Sequence, residues 1–374
     1  MLIQIHLLQN YAPANLNRDD TGSPKDAIFG GVPRGRISSQ CLKRSMRKSD
    51  VFVEAFSERG LLGTRTKRLP GLIETELKAL GADDKIVKAI VDRVPEIGKK
   101  ADKKNDEGDD DASAGDTADV VSKAETRQLI FIGANEMRPL AENLLTLYKT
   151  SKDWKKVELE KQLGGSLPRS VDVALFGRMT TSEAFEDVHA AAQVAHALST
   201  NALTQEFDYY TAMDDISNQT GAGMIGDVEF NSSTYYKYLN VHWENLVKNL
   251  GGDTGVAKEA VSALLVAAAL AQPSGKQNSF AAHNLPDLVL VEVSNKNLPV
   301  SYANAFLRPA RPTSERTLME SSAAQLSDYI TRASAMFGLK AQRAFASMVD
   351  WSLDGAEAKP SLDGLQTWLS QYLP

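Results

Sequence analysis

The sequence predicts a mixed fold in which β and α segments from both ends of the chain form a core and a helical insertion separates them. Three observations carry this. Leu2 to Leu8 alternate like a strand, with Ile3, Ile5 and Leu7 on one face. Pro286-Asp287-Leu288-Val289-Leu290-Val291-Glu292-Val293 is the strongest strand signal of the chain. From about Glu54 to Pro168 the apolar spacing turns helical.

Taken in order, the first strand leads into a polar loop over residues 15–26, which ends in Phe29-Gly30-Gly31. A short basic helix follows. Ser38 or Ser39 is its candidate N-cap, because a hydroxyl there accepts from an otherwise unpaired backbone N–H. On it Lys43 and Arg47 stand four apart, as do Arg44 and Lys48, while Leu42 and Met46 fall on another side and anchor it to a core. The insertion carries helical patterns at Pro70 to Leu80, Asp83 to Val94, Glu125 to Ile132 and Met137 to Tyr148. Between the second and third lies an Asp/Gly/Ser/Ala stretch, low in apolar residues, that reads as a solubilising surface loop.

Val171, Val173 and Leu175 alternate as a strand would, and Ser182 is placed to cap an alanine-rich helix from Glu183 to Ser199. Residues 204–240 are rich in Phe and Tyr and are broken by Gly221, Gly223 and Gly226, the pattern of two strands joined at a glycine-rich tip. Helices are expected at about Val256 to Ala271, Glu320 to Phe337 and Leu362 to Gln371.

With 43% hydrophobic and 24% charged residues, the 374-residue chain has the composition of a soluble globular protein with a real core. Cys41 is the only cysteine, so no internal disulfide forms and a cytoplasmic location is expected. The start lacks a basic segment followed by a long apolar run, so no signal peptide is expected; Ala260 to Ala271 is too short to span a bilayer, and no membrane role is indicated.

The net charge of −6 argues against a simple nucleic-acid binder, but its distribution matters more. Residues 99–125 hold nine acids and five lysines, and without them the chain is near neutral. Between Ala27 and Ser49 there is no Asp or Glu and there are six Lys and Arg. Cations held on one rigid face suit the regular negative charge of a nucleic-acid backbone; the other reading of the same residues is a solvated basic face.

Catalytic motifs are scarce. The five histidines show neither an HxxxH pair nor a cysteine cluster, so no metal site is expected. There is no Walker loop, and Gly221-Ala222-Gly223-Met224-Ile225-Gly226 lacks the flanking strand and helix of a dinucleotide site, so no cofactor is expected. Asp19, Asp20 and Asp26 in the first loop are the best acid–base candidates, able to hold Mg²⁺ or instead to pair with Arg18 and cap loop amides.

Several stretches together resemble a known family. Leu16-Asn17-Arg18-Asp19-Asp20, Lys25-Asp26-Ala27-Ile28-Phe29-Gly30-Gly31, Arg36-Ile37-Ser38-Ser39-Gln40, Leu42-Lys43-Arg44 and Met46-Arg47-Lys48-Ser49 carry the likeness first. It continues through Val171-Asp172, Gly177-Arg178-Met179, Ala195-His196-Ala197, Thr211-Ala212 with Asp214-Asp215, Lys276-Gln277, Ala281-Ala282 and Ser301-Tyr302-Ala303-Asn304-Ala305-Phe306. These resemble the CasC (Cse-four, Cas-seven) backbone subunits of type I-E CRISPR Cascade complexes, of the RAMP superfamily.

The resemblance implies an α+β fold: an RRM-like (ferredoxin-like) palm from residues 1–55 and 169–374, a helical fingers insertion at 56–168, and a protruding β-hairpin thumb at about 204–234. It implies copies stacked head to tail along one CRISPR guide RNA, beside other Cascade subunits, with target DNA met through the guide in antiviral defence. Carried over by position, Arg18, Lys25, Ser38, Gln40, Lys43, Arg44, Arg47 and Lys48 would contact the guide backbone. Met179 would pack against bases, with Arg178 nearby. A subunit serving any guide holds phosphates and leaves base edges free, which Lys and Arg do and which an apolar Met does not disturb. Tyr209, Tyr210, Phe230, Tyr235 and Tyr236 have two uses open to them, base stacking or filling the hairpin root. Lys149, Lys152, Lys155 and Lys156 are a candidate basic patch in the fingers. The resemblance implies a scaffold without a catalytic step. The rival is a nuclease like the type III backbone subunits, cutting target RNA with Asp19, Asp20 or Asp26 and Mg²⁺.

Overall fold

The computed structural model describes residues 1–97, 125–126, 128–163, 168–180, 182, 184–212 and 224–374. In chain order the elements begin with β1 (Leu2–Ala14), β2 (Asp26–Phe29), β3 (Val32–Ile37), α1 (Ser39–Arg47) and α2 (Asp50–Phe56). There follow β4 (Gly63–Thr66), α3 (Leu69–Ala79), α4 (Asp84–Val91), β5 (Ile130–Gly133), α5 (Ala134–Thr150), α6 (Leu159–Gln162) and α7 (Val171–Phe176). Next come β6 (Ala192–Val194), β7 (Ala197–Ser199), β8 (Glu206–Ala212), β9 (Met224–His242), α8 (Trp243–Asn249), α9 (Thr254–Leu270) and α10 (Gln277–Phe280). The last are β10 (Leu288–Ser294), α11 (Leu318–Phe337), β11 (Gln342–Ser347), β12 (Ala356–Ala358) and α12 (Leu362–Ser370).

The chain divides into two compact units. One comprises Met1–Ala55, Ala192–Glu244 and Thr254–Pro374; the other comprises Phe56–Ala191 and Asn245–Asp253. The second unit thus takes in residues 169–191 and 245–253 as well as the insertion.

The first unit is built on one mixed sheet in the order β12-β11-β10-β1-β9-β7-β3-β2, with β6 and β8 also paired to β9. Its ladders are antiparallel apart from β11–β12. β1 lies at the centre, and Leu2 to Gln9 are buried on both faces rather than on one. That is what a strand covered on both sides requires. On one face Leu8, Tyr236, Tyr238 and Leu290 pack against Met319, Leu326 and Ile330 of α11. The alanine-rich α9 buries Ala260, Val261, Leu264 and Leu265, and packs against α1 and α12.

β9 is nineteen residues long, and its two halves differ. From Asn231 to Val241 it is a largely buried core strand; from Met224 it forms an exposed hairpin with β8, in register Ala212↔Met224 to Glu206↔Phe230. The hairpin carries Phe207, Tyr209, Met224 and Ile225 exposed by more than half. Tyr235 and Tyr236 are core, whereas Phe230 meets Phe280 at the hairpin root, ring centroids 5.6 Å apart. The glycine-rich tip, Asp214, Asp215 and the acidic segment up to Ala124 lie outside the described residues.

The second unit pairs β4 with β5 and packs Leu69, Ile73, Leu77, Ile90, Ile132, Leu140, Leu144 and Phe185 into a core. Three expectations fail here and at the border of the units. Val171–Phe176 is a helix, not a strand: Asp172 Oδ1 accepts from Ser170 Oγ and from Gly63 N, 2.7 and 2.8 Å, fixing a helical start that alternation alone did not reveal. The helix expected at Glu125 to Ile132 is absent, and Ile130–Gly133 is a strand paired to β4. The helix expected from Glu183, itself outside the described residues, to Ser199 is absent too; Ala192–Val194 and Ala197–Ser199 are short strands on β9. In each case partners distant in sequence outweigh local propensity. Among the described residues no helix is long and apolar enough to cross a membrane.

Candidate nucleic-acid interface

The interface starts from the β2–β3 hairpin, whose two-residue turn Gly30-Gly31 has φ of +62° and +77°. That mirror-image turn demands glycine. At Gly30 a Cβ would in addition press on the Leu307 carbonyl. β3 then runs straight into α1. Ser38 is the N-cap, its Oγ accepting from Cys41 N at 3.2 Å, and Leu42 and Met46 are buried as their spacing predicts.

The preceding loop is tied to this junction by backbone. Ser38 N donates to Asn17 Oδ1, Lys25 N to the Asn17 carbonyl, and Arg36 N to the Lys25 carbonyl, each at 2.8 Å. Asp19 closes the loop on itself, accepting from Thr21 Oγ1 (2.8 Å), Ser23 N (2.9 Å) and Thr21 N (3.0 Å). The Thr21 hydroxyl bond is foremost in holding its carboxyl below the usual carboxylate range. Arg18, Gln40, Arg44 and Lys48 are exposed, while Lys25 and Lys43 are half-buried. Gln40, Arg44 and Lys48 fall four apart and form the outer stripe of α1.

Arg47 departs from the expected stripe. It is only 9% exposed, turned inward beside Met46, so it belongs to the packing of α1 rather than to its outer face. Ser38 is likewise buried and caps the helix.

Two groups that the sequence reading did not assign to the RNA contact join the cluster. Arg36 Nη1 lies 3.4 Å from His196 Nδ1, while Arg36 Nε donates to the Asp26 carbonyl at 2.9 Å. The β3–β7 pairing, Arg36↔Leu198 and Ile37↔Ala197, brings them together. Burial first, then the charges of Arg36, Lys25 and Lys43, push the His196 pKa down. Arg36 was visible as part of the acid-free run; His196 gave no charge signal of its own.

A buried lysine underlies the strands. Lys237 on β9 bonds Gln9 Oε1 and Tyr11 Oη, and burial pulls its pKa down to about 7.

Arg178 and Met179 belong to the second unit. Met179 is 91% exposed. Arg178 is not available to a phosphate: its Nη1 reaches Glu136 Oε2 at 2.8 Å and Oε1 at 2.9 Å, with both side chains buried. Burial raises the Glu136 pKa, and the Arg178 charge works against that rise. Breaking such a buried pair typically costs about 3–5 kcal/mol. Arg178→Ala is therefore expected to lower the melting temperature, with the salt dependence of RNA binding by the folded variant unchanged. Lys149, Lys152, Lys155 and Lys156 are all exposed, and Lys156 pairs with Asp153 at 3.4 Å.

The chain matches the family described as CT1975-like protein over residues 3–371. No curated protein matches it. Among solved structures it is similar to a chain of a CRISPR RNA-guided surveillance complex, pre-nicking, at 30% sequence identity and a TM-score of 0.75, covering 98% of this chain and 100% of that one. A chain of a second CRISPR RNA-guided surveillance complex is similar at 25% identity and a TM-score of 0.61, covering 99% of this chain and 100% of the other.

Proposed function

This chain belongs to the CT1975-like protein family, and from that premise we propose that it is the guide-RNA-binding backbone subunit of a Cascade complex of type I-E. In this reading it stacks head to tail along the CRISPR RNA and presents the guide to target DNA, beside other Cascade subunits. The large mixed sheet would be the RRM-like palm, the second unit the fingers, and the β8–β9 hairpin the thumb. The observation that carries the reading is the acid-free run from Ala27 to Ser49, where a capped helix holds Arg44 and Lys48 outward while Lys25, Arg36 and Lys43 gather around His196. Such a grip is blind to sequence, as a subunit serving every guide needs.

The hairpin supports the stacking part of the reading. An isolated two-stranded ribbon is marginal in water, and this one exposes Phe207, Tyr209, Tyr210, Met224 and Ile225. A neighbouring copy would cover them, and a head-to-tail contact that does not close gives an open filament suited to a linear RNA.

We take the subunit to be a scaffold without a catalytic step of its own. The test is to incubate guide-loaded complex with labelled complementary RNA and Mg²⁺. Intact target RNA with the wild-type chain and with Asp26→Ala alike is the expected result. Regularly spaced cuts that Asp26→Ala abolishes would instead make this a type III-like endoribonuclease.

A further inference from the structure

His196 sits in the turn between β6 and β7, exposed, at the point where β3, α1 and the first loop meet. The charged groups facing it are cations: Arg36 from β3, Lys25 from the loop and Lys43 from α1. β6 and β7 bring no charged side chain, and β9, which pairs with both, carries only the buried Lys237 between Asn231 and Val241. Asp26 on β2 engages Arg36 through its backbone carbonyl. Three cations act on one exposed imidazole, a concentration of positive charge that suits an anion.

We propose that His196 is a phosphate ligand of the guide RNA and that it takes up a proton as the RNA binds. The inference rests on the guide-binding reading and assigns it a further residue. In the free chain Nδ1 accepts from Arg36 Nη1, which leaves the proton of the neutral ring on Nε2, directed away from Arg36. A phosphodiester arriving there adds a negative charge that offsets the three cations and favours the imidazolium. The proton comes from solvent and goes to Nδ1. Protonated Nδ1 no longer accepts, so Arg36 Nη1 is released to the phosphate while its Nε stays on the Asp26 carbonyl. Nδ1–H and the guanidinium Nη1 then act as donors to one anion.

The experiment uses the full chain and a synthetic guide RNA, with binding measured from about pH 8 to pH 6 at constant ionic strength. Wild-type affinity is expected to rise about threefold or more over that range, as uptake of a proton at one site requires. His196→Gln should bind with a flat profile. His196→Lys, permanently charged, should bind at pH 8 about as tightly as the wild type does at pH 6. Calorimetry at neutral pH in two buffers of different ionisation enthalpy should show proton uptake with the wild type and none with His196→Gln. Wild-type binding without proton uptake, or a His196→Gln profile parallel to wild type, overturns the assignment and leaves the guide-binding reading standing. A wild-type chain that binds no guide at any pH overturns that reading itself.

Discussion

Charge reversal at Arg44 and Lys48 together is expected to weaken guide binding on the order of a hundredfold at moderate salt and to flatten its salt dependence. Both side chains lie exposed on the outer stripe of α1, four residues apart, so one RNA strand can run along them. Losing two phosphate contacts should reduce the slope of log K against log salt by about 1.5 to 2. The loss should be equal for guides of unrelated sequence, because phosphate contacts carry no base information. Stability should hardly change, since neither residue is buried and Ser38, Leu42 and Met46 still cap and anchor the helix. The same reversal at Arg47 would not isolate the effect, because that side chain is packed inside. If binding and its salt slope stay as in the wild type, α1 is a solvated surface and the phosphate grip lies elsewhere.

How much of this was legible in the sequence follows from the range of the forces involved. α1 was readable because its determinants are local: a serine cap, apolar residues four apart and an unbroken run without acids. The β8–β9 hairpin was readable from aromatic strands around a glycine-rich break. Val171–Phe176 was not, because its helical start is fixed by Asp172 reaching Gly63, 109 residues away. The strands at Ala192–Val194 and Ala197–Ser199 were hidden by an alanine-rich composition that favours helix, and only pairing with β9 overrides it. The same long-range pairing conceals part of the site. Arg36 and His196 are 160 residues apart and meet through the β3–β7 ladder. Arg178 shows the converse limit, since a buried Glu136 that no local pattern announces takes it out of the interface.

The frame that holds the interface has its own weak point, and a large stability effect is expected there. Glu292 on β10 is 1% exposed, between Gln4 of β1 and Arg343 of β11 in the ladder. Its carboxylate accepts from Arg343 Nε at 2.5 Å, Tyr302 Oη at 3.0 Å and His6 Nε2 at 3.1 Å. Burial pushes its pKa up, but the hydrogen bond and charge of His6 and the charge of Arg343 outweigh that and hold it at about 2. The folded value is below the ordinary 4.5. The stabilisation is therefore complete above about pH 4.5 and is lost as pH falls from there toward about 2, a loss on the order of 3 kcal/mol. Glu292→Gln keeps the shape but leaves Arg343 buried without a counter-charge, at a cost of about 3–5 kcal/mol at neutral pH. Its acid unfolding should begin from this lower stability and fall less steeply between about pH 4.5 and 2. Parallel acid curves for wild type and variant would remove Glu292 as the source of that pH dependence. Because β1 leads into the first loop and β9 into the hairpin, loosening this sheet should lower the fraction of chain able to bind RNA. It should leave the salt slope of the folded fraction intact, which separates damage to the frame from loss of a phosphate contact at Arg44 or Lys48.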